Sequence, residues 1–154
     1  MTNFEETKKR ALKILGNRNF SSLEMRKRLI SKGESTENAI EAVNWLVEIG
    51  YIDDPKFATL IVRHYVTNGY GEARVKEELL RRGIPKEYWE EKLAEIGETE
   101  LDDAANAFLA KKWRGNNSNI DMRRATESLI RRGFSFEDAR LAVKRYLDSQ
   151  ETQE

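Results

Sequence analysis

Apolar residues recur along this chain at spacings of three and four, with charged positions between them, the pattern of amphipathic helices burying one stripe. The clearest stripes come three times at a fixed interval. The segments SLEMRKRLISKG (22–33), EARVKEELLRRG (72–83) and MRRATESLIRRG (122–133) align without gaps, placing Leu29 with Leu79 and Leu129, and Ile30 with Leu80 and Ile130. Lys32, Arg82 and Arg132 align too, and each segment closes on a glycine, Gly33, Gly83 or Gly133, fifty residues apart. A period of this length marks a modular array.

Further helical stripes flank each segment. Downstream, Val43, Leu93 and Val143 align, then Leu46, Ile96 and Tyr146. Upstream the match is looser: Ala11 and Leu12 correspond to Ile61 and Val62, but the third copy has Lys111 and Lys112 there. Its stripe, Ala104 and Phe108, is displaced, which points to a longer connection at WRGNNSN (113–119). The pattern predicts an all-α chain of nine helices in three three-helix repeats, 1–50, 51–98 and 99–149. The polar end DSQETQE is expected to fray, residues 150–154 forming a tail. Some fifty residues bury little area, so each bundle leans on its neighbour. The expected shape is elongated and modestly curved, with a compact nine-helix globule as the alternative.

Helix ends carry their own signals. Thr2 with Glu5, and Ser21 with Glu24, have capping-box spacing, and Ser35 is a third cap. Asp54 before Pro55 reads as a cap with proline at the first helical position, and Pro85 opens a further helix. Thr99 with Asp102, Asp121, and Ser135 with Asp138 repeat the scheme; Ser21, Gly71 and Asp121 are equivalent N-caps. The three aligned glycines suit left-handed C-caps, acting as stops for their helices and not as contact residues.

Composition narrows the function. The absence of cysteine excludes disulfides, thiolate metal sites and cysteine nucleophiles. No apolar run approaches a membrane span and the first residues carry no apolar signal core, so a soluble cytoplasmic protein is expected. The formal net charge is zero, so bulk attraction to nucleic acid does not lead the reading. That balance conceals sorting. Segment 22–33 sets Arg26, Lys27, Arg28 and Lys32 against Glu24; segment 122–133 sets Arg123, Arg124, Arg131 and Arg132 against Glu127. Segment 72–83 is also net basic, whereas the following stretches are acidic, through Glu34, Glu37, Glu41 and Glu48 and through Glu87, Glu90, Glu91, Glu95 and Glu98. Charges at helix ends complement the dipole, but that does not require basic character on the same helix of every repeat. A recurring basic stripe fits an extended acidic partner. Arg26 is ambiguous, because at about 100° per residue it falls inside the apolar arc between Leu29 and Ile30. It is expected to lay its stem on a neighbouring helix with its guanidinium at water or a carboxylate.

No catalytic constellation assembles, and no cofactor or metal is implied. His64, the only histidine, lies in the helical stretch LIVRHYV, where a surface or packing role is expected. Asp53–Asp54 and Asp102–Asp103 lie where helix starts want caps. GYG (69–71) is a turn lacking the lysine and serine of a phosphate loop. Trp45, Trp89 and Trp113 are expected to pack the repeats together, base stacking being the alternative. The chain reads as a binding protein.

The ordered motifs resemble the RecX family, regulators of the RecA recombinase. They are ALKIL (11–15) with SSLEMRKRLISKG (21–33), then GYIDDPKFA (50–58) with GEARVKEELLRRGI (71–84), then RRGFSFEDA (132–139). The likeness runs from about Ala11 to Leu147, with Met25 where the family has leucine and with almost no N-terminal extension. It implies tandem three-helix modules, in a monomer, that lodge in the groove of the RecA–DNA filament and dampen ATP hydrolysis, filament growth and strand exchange, with weak contact to DNA. The candidate contact residues, to RecA or to DNA phosphates, are Arg26, Lys27, Lys32, Arg63, Arg74, Arg81, Arg82, Arg124, Arg131 and Arg132. A three-helix unit with a basic helix also suits direct DNA binding in the helix-turn-helix manner, the alternative function.

Overall fold

The computed structural model describes residues 3–113 and 121–151, all of whose regular structure is helical. In order the helices are α1 (Phe4–Leu15), α2 (Ser22–Ser31), α3 (Thr36–Glu48), α4 (Asp54–Thr67) and α5 (Glu72–Arg81). A 3-10 turn (Lys86–Tyr88) follows, then α6 (Glu90–Ala94), α7 (Glu98–Lys112), α8 (Met122–Arg131) and α9 (Phe136–Glu151). They form the expected tandem array of three-helix repeats. The chain divides into two compact units, Met1–Leu60 with Leu79–Trp89, and Ile61–Glu78 with Glu90–Glu154, so the divisions fall inside α4, inside α5 and just before α6.

In the first unit α1 and α2 pack on α3, around Ala11, Leu15, Met25, Leu29, Ala39, Val43 and Leu46. Full burial of one such leucine stabilises by about 1.5–3 kcal/mol, so Leu29 and Leu46, both at 0% exposure, are principal anchors. Ser21 and Glu24 make the full capping box, and Ser35 caps α3. The cap of α1 is Asn3, whose side chain accepts from the Glu6 amide at 2.8 Å; Thr2 lies outside the described residues. A polar cluster closes this bundle. Glu34 is 4% exposed; Arg10 lies 3.1 Å from its Oε1, and the Thr7 hydroxyl donates to its Oε2 at 2.8 Å. Arg10 is 41% exposed, so its loss should fall below the 3–5 kcal/mol of a fully buried pair. Arg10→Met is expected to destabilise by about 2 kcal/mol in urea unfolding. Adding Glu34→Leu should recover most of this, since the equivalent positions hold Ile84 and Phe134.

The second repeat departs from expectation at both ends. The cap of α4 is Asp53, which accepts from the Lys56 amide at 3.0 Å. Asp54 is already helical and turns to the Ser22 amide at 2.9 Å, so the cap–proline pairing assigned to Asp54 and Pro55 is corrected by one residue. Pro85 opens only a 3-10 turn before the five-residue α6. This leaves Leu93 buried but Ile96 half-buried and outside the helix.

In the second unit α7 and α8 pack on α9, with Ala105, Leu109, Ala125, Leu129, Val143 and Tyr146 in the core. The start of α7 is capped by Gly97, not Thr99. Asp102 therefore lies a turn inside α7, paired with Arg145. Asp121 and Ser135 cap α8 and α9 as expected. Helix α9 continues to Glu151, so residues 148–151 are helical; residues 114–120 and 152–154 lie outside the described residues.

The aligned glycines have φ of 99°, 71° and 101°, the left-handed C-cap conformation. Two of them are also contact points. In the first unit the Ser21 hydroxyl donates to the Arg82 carbonyl at 2.5 Å, and a Cβ on Gly83 would stand 2.2 Å from Leu23 Cδ2. In the second unit the Gly71 amide donates to the Arg132 carbonyl at 2.8 Å and the Ala73 amide to the Gly133 carbonyl at 3.1 Å. The same joint is thus built twice: the start of one middle helix caps the end of the next. Gly71 is not merely a substitute cap for Ser21, since a Cβ there would lie 2.5 Å from the Gly133 carbonyl carbon. At the first repeat the matching carbonyl, that of Lys32, accepts from Arg10 at 2.8 Å. The first repeat thus closes its own end.

Candidate partner-binding faces of the middle helices

Each middle helix buries a narrow stripe. In α2 it is Met25 and Leu29, in α5 Val75 and Leu79, in α8 Ala125 and Leu129. The next residue along turns about 100° away from the buried one. Accordingly Ile30, Leu80 and Ile130 are 40%, 59% and 41% exposed. A single exposed aliphatic side chain on a surface means nothing; one at the same position of all three repeats is a recurring surface. Arg26, placed by sequence inside the apolar arc, is exposed, because the arc ends at Leu29 and Ile30 is itself outside it.

The ten candidate cations separate into two groups. Arg26, Lys27, Lys32, Arg63, Arg81, Arg124 and Arg131 are exposed. Arg74, Arg82 and Arg132 are half-buried and hold the joints. Arg82 pairs with Glu24 at 3.1 Å and lies 5.8 Å from the Phe57 ring centroid. Arg132 lies 3.8 Å over Tyr70 and 4.6 Å over Phe108, and donates to the carbonyls of Asn68 and Gly69. Arg74 sits 5.8 Å from the same Tyr70 ring. Such cation–ring contacts contribute about 0.5–2 kcal/mol each, so these arginines shape the protein before they meet any partner.

The remaining singled-out residues have structural duties. His64 is exposed on α4, its Nδ1 3.4 Å from the Asn68 side-chain nitrogen. Trp45 packs on the core of the first repeat and Trp113 on that of the third; Trp89 is buried and donates its indole N–H to the Ile84 carbonyl at 3.0 Å. Trp45 and Trp113 are thus each packed on one core. No helix among the described residues is long and apolar enough to cross a membrane. Sequence reasoning missed Lys111 and Lys112 as site residues, noting them only where the apolar alignment of the third copy fails. With Ser128 and Arg131 they line a cleft against α8, none of whose described lining residues is acidic. The available signal was their place in the last turn of a helix facing a basic one.

Residues 53–93 match the family described as RecX, second three-helix domain. The regulatory protein RecX of Vibrio vulnificus is 30% identical over 135 residues, covering 86% of this chain and 88% of that protein. That of Xanthomonas campestris pv. campestris is 32% identical over 139 residues, covering 88% and 84%. The crystal structure of RecX from Lactobacillus salivarius superposes with a TM-score of 0.79 at 21% identity, covering 93% of this chain and 96% of that one, and so shares the fold. With the three-helix array and likeness to curated relatives over most of its length, the chain belongs to the RecX family of regulatory proteins.

Proposed function

We propose that this protein binds the filament of the RecA recombinase along its groove and restrains RecA's ATPase, filament growth and strand exchange, without catalysing a reaction itself. The carrying observation is the threefold recurrence of Ile30, Leu80 and Ile130, exposed on the basic middle helices. A partner made of identical subunits offers the same pocket repeatedly, and three linked weak contacts multiply through effective concentration. Aliphatic anchors supply the binding energy and the surrounding charge supplies orientation and speed of encounter. In this reading each repeat, 1–50, 51–98 and 99–149, is one binding module. Arg26, Lys27, Lys32, Arg63, Arg81, Arg124 and Arg131 face the partner, while Arg74, Arg82 and Arg132 set the joints. The protein then acts as a monomer in the cytoplasm, where RecA filaments form.

The test is RecA's DNA-dependent ATPase, titrated with this protein. Substoichiometric amounts should lower the rate, because a bound array blocks several protomers. An unchanged rate at every ratio, together with no association with filaments, would refute the reading.

A further inference from the structure

Between the end of α7 and α8 lies a cleft of about 710 Å³, lined by Phe108, Lys111, Lys112, Ser128, Arg131 and Arg132 together with residues 67–69 and Ala107. None of its described lining residues is acidic. At its floor the buried Ser128 hydroxyl donates to the Arg124 carbonyl at 2.9 Å, which commits its one proton. Its oxygen therefore accepts, from Lys112 Nζ at 2.9 Å and from Arg131 Nη2 at 3.4 Å. Two cations are gathered on one neutral oxygen, with Lys111 on the same cleft. Like charges held this close repel, and an anion bound between them would turn that repulsion into attraction.

The neighbouring carboxylates do not supply that anion. An adjoining hollow carries Asp121 and Glu127, but Asp121 accepts from the Arg123 amide at 2.9 Å and Glu127 pairs with the Arg123 guanidinium at 3.3 Å. The second repeat solves the same position differently: where the third has Ser128, it has the buried Glu78. The third repeat alone among these two leaves its cations without an internal acid at that position.

The geometry points to a phosphate-binding site in this cleft, with Lys111, Lys112 and Arg131 as donors and Ser128 as the residue that positions two of them. Several donors arriving from two helices suit a multiply charged tetrahedral oxyanion, whose oxygens accept from different directions, better than one planar carboxylate. The phosphate can belong to a nucleic-acid backbone or to a free polyphosphate chain; the aromatic rings near Lys112, Trp113 at 5.1 Å and Phe108 at 5.7 Å, are compatible with either.

Calorimetric titration with inorganic tripolyphosphate, and separately with a short oligothymidylate, tests the site on the intact chain without RecA, so its failure leaves the filament reading to its own assay. Wild type should bind at least one of the two, and which one binds identifies the source. Ser128→Glu supplies the second repeat's acid; it should weaken binding by about tenfold or more while the melting temperature holds or rises, since Lys112 and Arg131 gain a partner. Lys111→Gln with Lys112→Gln should reduce the log–log salt slope for the oligothymidylate, if that ligand binds, by about 1.4. The proposal is overturned if neither phosphate ligand binds, if Ser128→Glu binds as wild type does, or if polyglutamate competes as well as the phosphate ligands.

Discussion

Gly133→Ala is expected to lower stability by about 3 kcal/mol or more, against about 1 kcal/mol for Gly33→Ala. The two glycines have nearly the same backbone, with φ of 101° and 99°. An L-residue in that conformation is strained by about 1–2 kcal/mol, and this part is common to both. They differ in surroundings. A Cβ on Gly33 meets nothing within 4 Å, whereas on Gly133 it would stand 2.5 Å from Arg74 Cβ and 2.6 Å from the Arg74 amide nitrogen. A backbone atom cannot step aside by changing rotamer, so the joint itself must open. Overpacking of this kind adds about 1–3 kcal/mol. Gly83→Ala should fall between them, because its nearest obstacle, Leu23 Cδ2, is the end of a side chain that can rotate. Urea midpoints measured at constant m-value decide the matter. Equal shifts for Gly33→Ala and Gly133→Ala would show that the joint is not tight.

The contrast between these glycines also marks what was legible in sequence. Periodicity exposed the repeat, the stripes and the left-handed caps, since each depends only on residues a turn or two apart. The capping box at Ser21 and Glu24 was local and was read correctly; so were Ser35, Asp121 and Ser135. What escaped was set by contacts distant in sequence. Asp53 caps α4 because Asp54 is taken by the Ser22 amide, 32 residues away. Gly71 looks like any N-cap until the Gly133 carbonyl is seen against it. The charge sorting was visible, but not which cations were already employed: Arg82 and Arg132 belong to the joints, while Arg26 is exposed. Ile30, Leu80 and Ile130 were read as part of the apolar stripe because periodicity alone does not say how wide a buried stripe is. In a small bundle whose middle helix meets its neighbours along one narrow seam, that stripe stops one residue earlier.

Truncating those three side chains should have the largest effect on function. Each of Ile30→Ala, Leu80→Ala and Ile130→Ala is expected to weaken filament binding by about fivefold, near 1 kcal/mol. The triple variant should lose about a hundredfold, since the contacts are linked and their losses multiply. Stability should hardly change. The three positions are 40–59% exposed on helices, and alanine is the best helix former. Net charge is also unaltered, so an effect on binding cannot be assigned to electrostatics or to unfolding. Losing binding from Leu80→Ala alone, with the other two silent, would reduce the array to a single contact.

Co-sedimentation of wild-type and triple-alanine protein with RecA filaments on DNA, beside their melting curves, tests the central claim most directly. Wild type should pellet with the filament, and the triple variant should remain in the supernatant at the same concentration with an unchanged melting temperature. If the folded triple variant pellets as wild type does, the recurring aliphatic face is not what the filament binds.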